Sequence, residues 1–156
     1  MGLPEIFISF QTAAVSAITR SARGVLAVAV KDATAGGAAE AAYKSLAEVP
    51  EDKFSPENYR LLKLAFLAAP TKVWVLRVGE DAEKTYQALE RLRFDWLAAP
   101  GLDDARVMSF IKTLRNGGRG VKAVVANATA PDCEGIVNLC VSGLTLEDGA
   151  MEAKDY

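Results

Sequence analysis

Lys72-Val73-Trp74-Val75-Leu76-Arg77-Val78-Gly79-Glu80-Asp81 joins a β-branched and aromatic run to a glycine and then to a helix-capping aspartate. Valine and tryptophan fit a pleated, half-buried surface, so Lys72 to Val78 reads as a strand. Gly79 makes the turn, and Asp81 caps a helix that puts Tyr86, Leu89 and Leu92 on its inner face. The same grammar extends both ways. Upstream, Ser55-Pro56 is an N-cap followed by proline at the first helical position, opening a helix to about Ala68 that Pro70 ends. Its predicted inner stripe is Tyr59, Leu62 and Phe66. Downstream, Phe94 to Ala99 reads as a strand closed by Pro100-Gly101. Asp103 then caps a helix with Val107, Phe110, Ile111 and Leu114 at apolar spacing, and Gly117 stands as its C′ residue. Val121 to Ala126 and Ile136 to Val141 are two further strands. Strands alternating with helices through short connections predict an α/β fold, a mainly parallel sheet with flanking helices and right-handed crossovers.

The first fifty residues read differently. In Glu5-Ile6-Phe7-Ile8-Ser9-Phe10, Ile6, Ile8 and Phe10 share one face of an extended strand, so an N-terminal β-arm precedes the α/β region. A small-residue connector from Thr12 to Ala22 carries Arg20, with Arg23 beyond it, and closes at Gly24. Val25 to Val30 is a continuous apolar run suited to a strand covered on both faces. Lys31 to Ala39 contains Gly36-Gly37 and is a loop; its continuation through Tyr43 fits either a short helix or a strand. The expected division is arm and connector over 1–24, α/β domain over 25–146, and a solvated acidic tail over 147–156 with four acids and one lysine.

With 156 residues, 51% of them hydrophobic, the chain suits one domain. A chain of this size buries roughly 70% of its unfolded surface. The net charge of -2 lacks the clustered basic excess that phosphate neutralisation needs, which speaks against nucleic acid as a partner. There is no histidine, which removes the usual general base, the histidine-activated nucleophiles and the commonest metal ligand. Cys133 and Cys140 cannot make a four-ligand zinc site and lack CxxC spacing. Their scarcity favours a reducing cytoplasm over a secreted disulfide scaffold. No apolar run approaches the ~20 residues of a membrane span, so no direct membrane insertion is expected.

The chemical candidates are few. Asn116-Gly117-Gly118-Arg119-Gly120 resembles a phosphate loop, but it follows a helix, whereas phosphate cradles precede one; a helix cap and turn is preferred. Gly79-Glu80-Asp81 joins strand to helix correctly, yet its carboxylates repel phosphate. Asp103-Asp104, below Pro100-Gly101, sits where open α/β sheets place ligands, and both an acidic metal site and helix capping fit it. No cofactor is indicated. Cys140 reads as a small buried side chain and Cys133 as an unreactive loop thiol; Trp74 and Trp96 read as core. Arg20 and Arg23 suit either a solvated loop or a salt-bridge patch meeting an acidic neighbour. The competing functional reading is a small ligand- or metal-binding enzyme domain using the loops near Gly79 and Gly101.

The arm supplies the remaining clue. Burying Ile6, Ile8 and Phe10 yields about 1.5–3 kcal/mol each. Fixing each residue's backbone costs about 1–2 kcal/mol, so the arm orders only where it also gains main-chain pairing. The receiving sheet edge is internal or belongs to another subunit.

These residues resemble the contractile tail sheath proteins of myophages and phage-tail-like bacteriocins. The likeness runs through Met1-Gly2-Leu3-Pro4 and the strand to Phe10, Ala14-Val15-Ser16-Ala17-Ile18, Arg20-Ser21-Ala22-Arg23-Gly24 and Lys31-Asp32. It continues at Glu57-Asn58-Tyr59, Pro70-Thr71-Lys72-Val73, Phe94-Asp95-Trp96-Leu97, Lys122-Ala123-Val124-Val125 and Glu134-Gly135-Ile136-Val137-Asn138. The resemblance implies a non-enzymatic subunit that polymerises around a tail tube, lends its terminal arm to neighbours, and contracts to drive the tube through an envelope. The subunit-interaction residues would be Glu5, Ile6, Phe7, Ile8, Ser9, Phe10, Arg20 and Arg23. Expected partners are other sheath subunits and a tail tube protein, with baseplate and tail-terminator proteins as further candidates. The expected location is a virion tail or tail-like particle assembled in the bacterial host cytoplasm. Members of the family are longer, so the resemblance implies either an N-terminal portion of such a protein, whose sheet would keep an unprotected edge, or a genuinely shortened variant.

Overall fold

A strand apolar on both faces must be covered on both, and β1 (Val25–Val30) takes the centre of the sheet for that reason. The computed structural model describes residues 24–34, 36–127, 131–140, 145–146 and 149–150. The predicted arm over Glu5 to Phe10, together with Arg20 and Arg23, lies outside the described residues. After β1 come β2 (Glu40–Tyr43), 3-10 turns at Leu46–Glu48 and Glu51–Lys53, α1 (Pro56–Leu67) and β3 (Lys72–Arg77). Then follow α2 (Ala82–Arg91), β4 (Trp96–Ala98), α3 (Asp104–Asn116), β5 (Lys122–Val125) and β6 (Ile136–Asn138). A separate two-residue ladder pairs β7 (Thr145–Leu146) with β8 (Gly149–Ala150), the latter within the stretch read as an acidic tail.

The larger sheet among the described residues runs β2-β3-β1-β4-β5-β6, parallel throughout except for β2. Leaving β2 aside, this is a doubly wound order whose connections reverse direction between β1 and β4. Alternation along each strand feeds two cores. Val28, Val30, Val73 and Val75 meet Leu61 and Leu62 of α1 on one face. Ala27, Ala29, Leu76, Leu97, Ala123 and Val125 meet Tyr86, Leu89, Val107, Ile111 and Leu114 of α2 and α3 on the other.

The helix starts form as expected. Ser55 accepts from the Asn58 amide, Asp81 from Glu83 and Asp103 from Arg106. Several details differ. The stretch left open between helix and strand is β2, because it pairs antiparallel with β3. The inner face of α1 is Asn58, Leu61 and Leu62, with Tyr59 and Phe66 only half-buried at its margin. β4, β5 and β6 are shorter than predicted, since pairing stops where a partner strand turns away. Gly117 caps α3 with φ -77°, and it is Gly118, at φ 84°, that takes the left-handed position. Trp96 is 38% exposed and Cys140 is exposed, so neither is a core residue.

Leu62 is fully buried where α1 meets the sheet. Leu62→Ala should cost about 2–5 kcal/mol in urea denaturation, while Leu67→Ala at the exposed end of α1 should stay within about 0.5 kcal/mol.

Candidate functional site

In a doubly wound sheet the place for a ligand is the crevice at the strands' carboxyl ends where connections reverse, here beyond β1 and β4. That crevice is filled by backbone. Gly101 donates its N–H to the Ala29 carbonyl at 3.0 Å. A Cβ on Gly101 would stand 2.8 Å from Lys31 N and 2.9 Å from Val30 C. The glycine thus lets the β4–α3 loop lie directly on the end of β1, where a ligand would otherwise enter.

The neighbouring carboxylate is also committed. Asp32, just past β1, has no exposed side-chain surface. Its Oδ1 accepts from Thr34 N at 2.9 Å; its Oδ2 accepts from Ser55 N at 2.9 Å and Asn58 Nδ2 at 2.8 Å. Asn58 Nδ2 also donates to the Lys31 carbonyl at 2.8 Å. Arg77 Nη1 lies 3.9 Å from Asp32 and donates to the Thr34 carbonyl, while Nη2 donates to the Lys53 carbonyl. Burial alone would raise the Asp32 pKa, but the hydrogen bonds from Asn58, Thr34 and Ser55 outweigh it and hold the carboxyl well below the usual range. This cluster ties together the loop after β1, the start of α1 and the end of β3. The hydrogen bonds knot these segments together, although the buried Arg77 Nε has no hydrogen-bond partner among the described residues.

The other candidates resolve similarly. Asp103 caps α3, and Asp104 accepts from Ala126 N at 3.3 Å, tying α3 to the end of β5. Among the described residues no group of three or more His, Cys, Asp or Glu side chains could hold a metal. At the Asn116–Gly120 turn, Arg119 folds back to donate to the Glu90 and Leu92 carbonyls and stacks over Phe94, which makes the turn a helix stop. Gly79 has open space around it. Trp74 is half-buried under Lys72, whose ammonium sits 4.3 Å from the ring centroid. Cys133 is half-buried and donates weakly to the Glu134 carbonyl at 3.9 Å.

What remains is a surface. On the α1 face of the sheet, Leu26, Val28, Trp96, Ala98 and Val124 floor a groove of about 790 Å³, walled by Leu61, Leu64, Ala65 and Ala68 of α1. Asp103, Asn127 and Leu139 line its far end. Reading strands one at a time missed it, because a groove floor and a core have the same apolar signature.

These features define an α/β module with an open apolar face among the described residues. No family model matches the chain. The tail sheath protein of Clostridium phage phiCD119 is 32% identical over 154 residues, covering 88% of this chain. The chain spans 41% of that relative's length. In the crystal structure of the sheath tail protein from Desulfitobacterium hafniense the same fold recurs, with a TM-score of 0.66 at 14% identity. That match covers 97% of this chain and 59% of the other. Over 88% of its length the chain is similar to a phage tail sheath protein, which supports a place in the phage tail sheath family.

Two predictions follow from the strand ends. Gly101→Ala should destabilise the protein by about 1–3 kcal/mol, since backbone on both sides cannot yield, whereas Gly79→Ala should change stability by less than about 1 kcal/mol; thermal melts compare them. Asp32→Ala, which leaves Arg77 without its counter-charge, should cost about 3–5 kcal/mol at neutral pH. Because the folded carboxyl titrates below the unfolded one, its contribution is complete above about pH 4 and declines as the pH falls further. The gap between wild type and variant in urea denaturation should therefore narrow below pH 4.

Proposed function

We propose that the chain is part of a structural subunit of a contractile tail sheath, polymerising around a tail tube in a phage tail or tail-like particle. The observation that carries this reading is the 32% identity to a tail sheath protein over nearly the whole chain. In this reading Glu5 to Phe10 is an arm lent to a neighbouring subunit, where Ile6, Ile8 and Phe10 gain burial and the backbone gains pairing on a sheet edge. Arg20 and Arg23 then meet acidic groups of that neighbour. Each such contact is weak, and closure into rings raises the effective concentration of every arm at its acceptor. Contraction can proceed without dissolving the polymer, because the arms keep subunits linked while their globular parts re-pack and drive the tube through an envelope. The tube, baseplate and terminator are the further partners this role requires.

The test is assembly of the full-length subunit with and without residues Met1 to Phe10. Negative-stain electron microscopy should show sheath tubes for the intact protein and none, or only disordered aggregates, for the deletion, with both forms giving the same circular dichroism. Ordered tubes from the deleted protein would remove the arm from the mechanism.

A further inference from the structure

The polypeptide enters the sheet through Gly24, and that entry point opens onto the groove of the α1 face. Gly24 has φ 57°, the left-handed conformation that commonly closes a helix. Its carbonyl accepts from Thr71 N at 3.0 Å, which pins it beside the loop that follows α1. On its other side a Cβ would stand 2.9 Å from Asp95 Oδ2, the oxygen that accepts from Val25 N. Leu26, two residues further on, already floors the groove, next to its register partner Trp96 on β4. Among the described residues no helix covers this part of the sheet. α1 lies over β1 and β3, whereas α2 and α3 occupy the opposite face. Trp96 is part-exposed, and Leu26, Ala98 and Val124 are only half-buried.

The sequence that leads into Gly24 has the period such a face asks for. On a helix of 3.6 residues per turn, Thr12, Ser16, Thr19, Arg20 and Arg23 fall on one side. Ala14, Val15, Ile18 and Ala22 fall on the other. An extended strand would mix the two sets, since Ala14, Ser16, Ile18, Arg20 and Ala22 would share one face. Arg20 and Arg23 stand where cations favour the end of a helix, just before the left-handed glycine. The order of helix, short loop and parallel strand is also that of α1 with β3, α2 with β4 and α3 with β5. A helix over 12–23 is about 18 Å long at about 1.5 Å per residue, close to the roughly 20 Å of β1. Its small residues match Ala65 and Ala68 on the flank of α1 and Ala98 below, which permit a close approach.

We infer that the groove is the docking surface for residues 12–23 of the same chain, lying as an amphipathic helix beside α1 and antiparallel to β1. Val15, Ile18 and Ala22 face Leu26, Trp96 and Val124, while Arg20 and Arg23 point outward. The docking is within one subunit and does not rest on sheath assembly or on the lending of Glu5 to Phe10.

Photo-crosslinking of the intact chain tests it, with p-benzoyl-phenylalanine incorporated in place of Trp96. Trp96 is part-exposed and similar in size, so the replacement leaves the fold intact. The same replacement at exposed Lys122, whose ammonium lies 5.2 Å from the Trp96 ring centroid, is the second probe. The expected result is an adduct in the monomer band of a denaturing gel, mapped by tandem mass spectrometry to residues 12–23. Ile18→Asp, on the buried face, should lower the adduct yield several-fold. Thr19→Asp, which adds the same charge on the outer face, should leave it unchanged. An adduct mapped elsewhere, a cross-linked dimer, no adduct from either probe, or equal yields from the two aspartate variants would overturn the inference. The mapped adduct of the otherwise unmodified chain decides the matter even where Ile18→Asp disturbs folding. Sheath tubes could fail to form and this readout would stand; equally, tubes could form normally while the adduct maps elsewhere.

Discussion

The buried Asp32 carboxylate sets the geometry on which the rest of the molecule depends. Two backbone amides and the Asn58 side chain converge on it, and Arg77 closes over it from β3. The donors come from the loop after β1 and the start of α1, and Arg77 from β3, so one charge fixes the loop after β1, the entry angle of α1 and the end of β3 together. Withdrawing a carboxylate from water is costly, and only this full set of hydrogen bonds offsets it. Gly37 belongs to the same arrangement, since a Cβ there would overlap the Arg77 guanidinium. The position of α1 in turn sets one wall of the apolar groove.

At the reversal point the end of the sheet is taken up by contacts that hold the fold. Two devices close it: the Asp32 knot beside β1 and β3, and Gly101 lying on the backbone of β1 at the reversal point. Both are built from within the chain. An open α/β sheet advertises a ligand site by topology alone, but the topology is permissive; function depends on what fills the crevice.

The elements were legible in the sequence where the determining interaction is local. Ser55, Asp81 and Asp103 each cap the helix they precede, because the capping bond spans only two or three residues. Local signals fail where the partner is distant. Glu40-Ala41-Ala42-Tyr43 carries little intrinsic preference and becomes a strand through pairing with β3. The Phe94 to Ala99 strand begins only at Trp96, although the Asp95 backbone still bonds to Val25 and Lys122 and its carboxylate accepts from the Val25 amide at 2.6 Å. Consecutive glycines blurred the end of α3: either could take the left-handed turn, and Gly118 does. The knot was illegible altogether, since Asp32 and Asn58 lie 26 residues apart and nothing local joins them. Trp96 reads as core by type, yet its exposure depends on what covers the α1 face.

The described residues pack unevenly across the module. The Asp32 hydrogen bonds hold one end of the sheet, with the buried Arg77 Nε left without a partner there, and two cores pack α1 on one side and α2 and α3 on the other. A close-packed interior of this kind resists deformation. Among the described residues the apolar strip over β4 to β6 is the exception, since no helix packs on it.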